Sequence, residues 1–211
     1  MKEHEGDKYL NIHTAGTQWI SEATLHHNRY EPTPYEHLKQ LFNRRPIDPD
    51  AGLVDFGSGK GRLNFYVHDR FGCRSTGIEL NTSFCGEAQK NLEAYGNNGS
   101  RRNGLDQLRI LCGMAQEYEV QPEDTVFYFF NPFSVQIFMK VVDNILRSGE
   151  TYPREVEIIL YYPTDDYIDF LERNTAFELL ESIDLPTIVK DPAEQFLIYK
   201  LSPTQDIKAL A

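Results

Sequence analysis

Three short stretches of this chain hold residues whose types and spacing could do chemistry. The first, Leu53-Val54-Asp55-Phe56-Gly57-Ser58-Gly59-Lys60-Gly61-Arg62, passes from an apolar run into three glycines at alternate positions. Glycines so placed let the main chain turn through angles that a Cβ forbids, and let a ligand lie directly against it. The free N–H groups of such a turn are expected to face that ligand. The second is Glu79, 22 residues beyond Gly57 (79 minus 57), near the end of Ser75-Thr76-Gly77-Ile78-Glu79-Leu80. A carboxylate there can accept both hydrogen bonds of a ribose diol, and an apolar neighbour on each side argues against a purely solvated role. The third is Asn131-Pro132-Phe133, directly after an apolar run; in an open parallel sheet it borders the same cleft as Gly57 and Glu79.

Spacing narrows the ligand. A dinucleotide fingerprint needs G-x-G-x-x-G, and Arg62 stands where its third glycine belongs. A phosphate-cradling G-x-x-x-x-G-K-[ST] loop fails as well, because Lys60 is followed by Gly61. Asp55, just ahead of the glycines, would repel a pyrophosphate but could receive the ammonium of an amino-acid moiety, directly or through water. The stretch resembles motif I of the class I, Rossmann-like S-adenosylmethionine (SAM) dependent methyltransferases, acidic-x-G-x-G-x-G.

That resemblance implies SAM as cofactor, with Asp55, Gly57, Ser58, Gly59 and Gly61 around its methionine end and Glu79 on its ribose. After the third strand comes Gly113-Met114-Ala115-Gln116. Many members of the family have an acidic residue where Met114 stands, accepting the adenine amino group. Here Gln116, or a backbone carbonyl with Met114 packed on the ring beside Ala115, would substitute. Asn28, Tyr30, Pro32 and Thr33 follow the N-x-Y-x-P-T arrangement of bacterial members, in which the segment before motif I lids the methionine end. Tyr30 and Tyr35 could equally be core cover. Asn131-Pro132-Phe133 resembles the [DNS]-P-P-[YF] motif of amino methyltransferases, one residue shorter. There the Asn oxygen and a proline carbonyl accept hydrogen bonds from the target nitrogen while the ring packs on it, which implies catalytic roles for Asn131 and Phe133. The plain alternative is a strand end followed by a helix start.

Stepping outward from these residues, Leu53 to Phe56 reads as a buried strand, and Leu63, Tyr66 and Val67 recur at helical spacing beyond the turn. Thr33, Pro34 and Glu36 read as a T-x-x-E capping box opening a helix with Leu38, Leu41 and Phe42 on one face. A further helix runs from about Thr82 to Tyr95, with Phe84, Ala88, Leu92 and Tyr95 aligned. Leu108 to Cys112 is a strand, and Thr125 to Phe130 is apolar throughout, as a central strand covered on both faces should be. Ser134 caps a helix carrying Val135, Phe138, Val142 and Ile145. Val156 to Tyr162 is a fifth strand, and Thr164 or Asp165 caps a short helix. Phe177 to Ile183 and Gln195 to Leu201, with no helical crossover between them, should pair antiparallel. The expected fold is α/β: a seven-stranded, mostly parallel sheet with a C-terminal antiparallel hairpin, helices on both faces and an N-terminal helical extension. Residues 1–48 are expected to form that extension and cofactor lid, and 49–211 the SAM-binding unit.

Composition bounds the rest. A chain of 211 residues suits one domain with an ordinary core, and a mean hydropathy of −0.50 describes a globular protein. With neither a membrane-length apolar run nor a signal peptide, it is expected to be cytoplasmic and to have no membrane partner. The net charge of −11 disfavours extended nucleic-acid contacts; Lys60, Arg62 and Arg101-Arg102 read as solvated loop charges, with Lys60 or Arg62 a possible contact for an acidic substrate group. Cys73, Cys85 and Cys112 read as small core residues rather than a disulfide or zinc framework. His26-His27 point apart on any regular element, so no metal is expected. Residues 1 to about 10 are expected to be disordered. The expected activity is methyl transfer to an amino nitrogen of a small molecule or protein. A silent SAM-binding domain and a nicotinamide oxidoreductase are the rival readings, and the oligomeric state is open.

Overall fold

The structure, a computed structural model, describes residues 2–16, 30–97, 104–186 and 191–203. In chain order the elements are α1 (Glu3–Leu10), α2 (Tyr35–Arg44), β1 (Gly52–Phe56), α3 (Arg62–Phe71), β2 (Arg74–Glu79), α4 (Thr82–Gly96), β3 (Leu108–Cys112), β4 (Asp124–Phe129), α5 (Val135–Thr151), β5 (Val156–Tyr161), α6 (Asp165–Asn174), β6 (Glu178–Asp184) and β7 (Gln195–Leu201). The strands form one seven-stranded sheet in the order β3-β2-β1-β4-β5-β7-β6. Its first five strands pair in parallel, and β7 lies antiparallel between β5 and β6. This is the expected α/β architecture.

Alternation along the central strands feeds two apolar layers. Leu53, Val126, Tyr128, Ile159, Tyr161, Phe196 and Ile198 point to one face, where Leu38, Leu41 and Phe42 of α2 and Leu63, Phe65 and Val67 of α3 cover them. Val54, Phe56, Phe127, Phe129, Ile158 and Leu160 point to the other, under Phe138, Val142 and Ile145 of α5 and Leu171 of α6. Strands buried on both sides need continuous apolar sequence, which is what Thr125 to Phe130 supplies. Strand order reverses between β1 and β4, so a crevice opens beyond their carboxyl ends.

Four local expectations are corrected. Residues 3–10 form α1 rather than a disordered tail, because Asp7 and Leu10 are buried against the body of the protein. Thr33 does not cap α2: the helix begins at Tyr35 with no side-chain cap, and the Thr33 hydroxyl is instead bonded to the Tyr128 hydroxyl at 2.8 Å. Ser134 stands at the N-cap of α5 without a side-chain cap bond. Cys85 and Cys112, read as separate core residues, form a disulfide joining α4 to β3, with Cα atoms 5.9 Å apart; Cys73 is a buried free thiol. Asn28, His26-His27 and Arg101-Arg102 lie outside the described residues.

Candidate functional site

The switch-point crevice gathers the motif residues. β1 delivers Asp55 on the face covered by α2 and α3, and Tyr128 of β4 stands beside it in register. Gly57 then turns the chain with φ 81°, and a Cβ there would fall 2.4 Å from Pro132 Cβ. This near-contact joins the first glycine turn to the loop after β4. Gly59, at φ 55°, would place a Cβ 2.3 Å from the Tyr30 ring. At both positions backbone conformation and close approach require glycine. Gly61 is the residue before α3, and its N–H donates to the Ser58 carbonyl at 2.8 Å.

The amides of Gly57, Ser58, Gly59 and Gly61 are already used. Gly57 and Ser58 donate to the Ile78 carbonyl at 2.8 and 3.1 Å, and Gly59 donates to Glu79 Oε2 at 2.8 Å. The expectation of free N–H groups facing a ligand is therefore corrected at these four residues. The turn is pre-formed, and it lacks the convergent donors that an anion nest requires. Ser58 is buried with its hydroxyl unpartnered, packed against the Gly77 backbone.

Two carboxyl groups dominate the electrostatics. Asp55 is buried, and among the described residues no cation or hydrogen-bond donor pairs with its carboxyl group. Burial, with the neighbouring Glu79 charge adding to it, pushes its pKa up to about 8. Glu79 is also raised by burial, an effect opposed by the N–H groups it accepts: Gly59 at Oε2 and Asn81 at Oε1, the latter at 2.7 Å. Its carboxylate is thus aimed at the glycine turn, with lone pairs left for further donors.

Around this pair sit the remaining expected residues. Tyr30 lies over Gly59 with its ring 4.8 Å from Phe84 of α4, and its hydroxyl donates to the Thr14 carbonyl at 2.7 Å. Thr33 is buried beside Tyr128. Glu79 stands opposite Cys112 in the sheet, and the Gly113 N–H donates to the Glu79 carbonyl at 3.0 Å, which carries Met114 and Ala115 to the same rim. Met114 is 46% exposed and Gln116 Nε2 points to its sulfur at 3.4 Å, so Met114 presents an apolar surface there. Asn131 sits beyond β4 at φ 39°, next to the proline that touches Gly57. Phe133 is brought to the region but not into the crevice. Its ring is buried against Phe129, and its carbonyl accepts the Tyr167 hydroxyl at 2.5 Å. Phe130, the residue before Asn131, is half-buried, and its ring centroid lies 6.5 Å from that of the half-buried Tyr162.

Lys60 and Arg62 are not solvated loop charges. Lys60 Nζ is bonded to Glu87 at 2.8 Å under the Tyr30 ring, and Arg62 is 3% exposed. Neither is free to meet a substrate. Leu80, one of the two apolar neighbours of Glu79, is 41% exposed and forms a second apolar surface at the end of β2. Sequence reasoning missed Tyr128, whose hydroxyl is hidden in a uniformly apolar strand, and the role of Arg62. One signal for Arg62 was available: a cation at the first position of a helix opposes the helix dipole.

No protein-family model matches the chain, and no curated protein matches it. Solved structures do. An RNA methyltransferase from Salinibacter ruber in complex with S-adenosyl-L-homocysteine (SAH) superposes with a TM-score of 0.59 at 20% identity, over 86% of this chain and 99% of that one. A SAM-dependent methyltransferase from Thiobacillus denitrificans, also with SAH, gives 0.53 at 16% identity, over 82% and 93%. The glycopeptide N-methyltransferase MtfA, complexed with SAM, gives 0.53 at 12% identity, over 80% and 86%. Taken with its strand order and switch-point crevice, these matches show that the chain has the Rossmann-like fold of class I SAM-dependent methyltransferases.

Proposed function

We propose that the protein binds SAM in the switch-point crevice and transfers its methyl group to an amino nitrogen of a small molecule or protein. The observation that carries this reading is the Asp55 carboxyl group, buried beside the glycine turn with no cation paired to it among the described residues. An uncompensated buried carboxylate is costly, and the ammonium of an amino-acid tail relieves that cost. A pyrophosphate fits poorly, because Asp55 and Glu79 are both acidic and the Gly57, Ser58, Gly59 and Gly61 amides are already bonded within the chain. The bound cofactor would supply an activated methyl group on a sulfonium.

Each part of the chain then has a definable task. Asp55 and the 57–61 turn hold the methionine end, while Glu79 accepts from the ribose hydroxyls on lone pairs not used by Gly59 and Asn81. Leu80 and Met114 offer apolar surface to the adenine, with Ala115 behind them. Tyr30 and Thr33 close the near side. Asn131 orients the acceptor through its side-chain oxygen, flanked by Phe130 and Tyr162 in place of Phe133. Methyl transfer from an activated donor needs alignment and exclusion of water more than acid–base help. A neutral amine brings its own lone pair and needs only to be positioned. The fold neighbours that act on RNA and on a glycopeptide are compatible with several acceptor classes; the net charge of −11 favours acceptors other than a long phosphate backbone.

Calorimetric titration with SAM, SAH and NAD tests the reading. Saturable binding of SAM and SAH without response to NAD is the expected outcome. Heat from NAD alone would replace the proposal with the oxidoreductase reading.

A further inference from the structure

Residues 3–15 have no part in the reading above, yet they converge on the start of α3. Arg62, the first residue of that helix, donates from Nε to Thr14 Oγ1 at 2.7 Å and from Nη1 to the Thr33 carbonyl at 3.2 Å. Nη1 also pairs with Glu3, Nη2 faces Asp7 Oδ1 at 3.6 Å, and the guanidinium lies 4.5 Å from the centre of the Tyr35 ring. Asp7 in turn accepts from the Thr14 N–H and hydroxyl, both at 2.6 Å, from the Ala15 N–H at 2.9 Å and from the Tyr35 hydroxyl at 2.8 Å. These bonds, together with the Arg62 charge, hold its carboxyl group below the ordinary range despite burial.

The same segment touches the glycine turn by two other routes. The Thr14 carbonyl accepts the Tyr30 hydroxyl at 2.7 Å, and the Tyr30 ring rests on Gly59. Asn91 of α4 accepts the His13 N–H at 2.8 Å and donates to the His13 and Lys60 carbonyls at 3.2 and 3.1 Å. Thr14 is therefore bonded at once to Arg62, Asp7 and Tyr30. Burying the Arg62 guanidinium with the Asp7 carboxylate, beside a half-exposed Glu3, is a weak source of stability but a strong constraint on geometry. A planar fork of donors fixes several partners in a way that a lysine ammonium does not.

We propose that Arg62 is a positioning residue for the cofactor: it latches residues 3–14 onto α3 and, through Thr14 and the Thr33 carbonyl, holds Tyr30 and Thr33 against the 57–61 turn. The inference rests on the SAM-binding reading and adds that retention of the cofactor depends on the N-terminal segment. Arg62 touches no substrate; it acts through the residues it holds.

SAH is the probe, and the full-length chain is the sample. Binding to the unaltered protein is measured first, and its failure overturns the cofactor reading and this proposal together. Given binding, SAH dissociation is followed by stopped-flow fluorescence in Arg62→Lys and in Thr14→Val. Each is expected to release SAH about tenfold faster, and hydrogen exchange of residues 3–14 to accelerate in parallel. A stability control, Leu171→Val on the opposite face of the sheet, is studied at a temperature giving the same loss of melting margin. It is expected to release SAH at the unaltered rate. If Arg62→Lys does not fold, Thr14→Val carries the test. Unaltered SAH release in the latch variants would overturn the proposal, as would equal acceleration in the Leu171 control.

Discussion

Glu79 accepts the Gly59 N–H at 2.8 Å, so the carboxylate at the tip of β2 also fastens the second glycine of the turn after β1. One side chain thereby links the two strand ends that build the cofactor crevice. Replacing it with Gln keeps the size but exchanges one acceptor oxygen for a donor. Glu79→Gln should weaken SAH binding by about 1.5–3 kcal/mol, roughly 10- to 100-fold, as expected for hydrogen bonds to a charged group. Calorimetry on the purified variant checks it, and an unchanged affinity would remove Glu79 from the site.

Asp55 couples cofactor binding to protons. Its pKa is pushed up to about 8, so at pH 7 the free protein holds it largely protonated. Pairing with an ammonium ionises it, and SAH binding between pH 6 and 7 should release a proton. Titrations in two buffers of different ionisation enthalpy would show the release, and Asp55→Asn should abolish both the release and most of the affinity. The stability effect has a defined sign. A carboxyl group whose folded pKa is raised contributes stability that is fully present below the ordinary carboxylate range and lost as pH rises towards 8. Asp55→Asn should therefore melt higher than the unaltered protein near pH 8, by roughly 2–4 °C for a gain of about 1 kcal/mol in a chain of 211 residues. A lower melting temperature there would contradict the assignment of an uncompensated charge.

Asn131 holds a left-handed backbone at φ 39°, which confuses any simple alanine test. Asn131→Gly removes the amide while relaxing the backbone, whereas Asn131→Ala adds strain on the order of 1 kcal/mol. If the side chain orients the acceptor, both variants should bind SAH within about twofold of normal and lose methyl transfer at least 100-fold. Transfer would be read as a gain of methyl mass on the acceptor. Parallel loss of SAH binding and transfer in Asn131→Gly would show a cofactor contact instead.

The disulfide between Cys85 and Cys112 spans 27 residues and ties the first turn of α4 to the end of β3, the two walls beside Glu79. Thiol titration of the oxidised protein under denaturing conditions should count one free cysteine, Cys73, and three after reduction. In the chain-entropy view a loop of this size contributes about 3.5 kcal/mol, so a reductant should lower the melting temperature by several degrees. A count of three thiols before reduction would refute the pairing.

Much of this architecture could be read from local pattern. The glycine spacing after Asp55, the acidic end of β2 and the uniformly apolar β4 are local features, and each strand or turn they imply is present. The two-sided burial of β4 was legible because a strand covered on both faces has nowhere to place polar residues. What escaped depends on distance in sequence. Nothing near Thr33 indicates that its hydroxyl prefers Tyr128 to a helix cap, and nothing near Arg62 names Glu3, Asp7 and Thr14 as its partners. The Phe133 ring was assigned by motif likeness to the crevice. In the sheet it falls under α5 and α6, where apolar burial outweighs any gain at the rim.

The latch also constrains the order in which the protein can assemble. Arg62 meets Thr14 across 48 residues and Glu3 across 59. α1 has only eight residues, too few to persist alone in water. As the chain leaves the ribosome, α1 can meet Thr14 and Tyr35 early, but its Arg62 partner is missing until the first strand–turn–helix unit has emerged and set. Residues 3–10 are thus made before Arg62 yet reach their final place only after it, and a refolding experiment should see them protected only after the sheet.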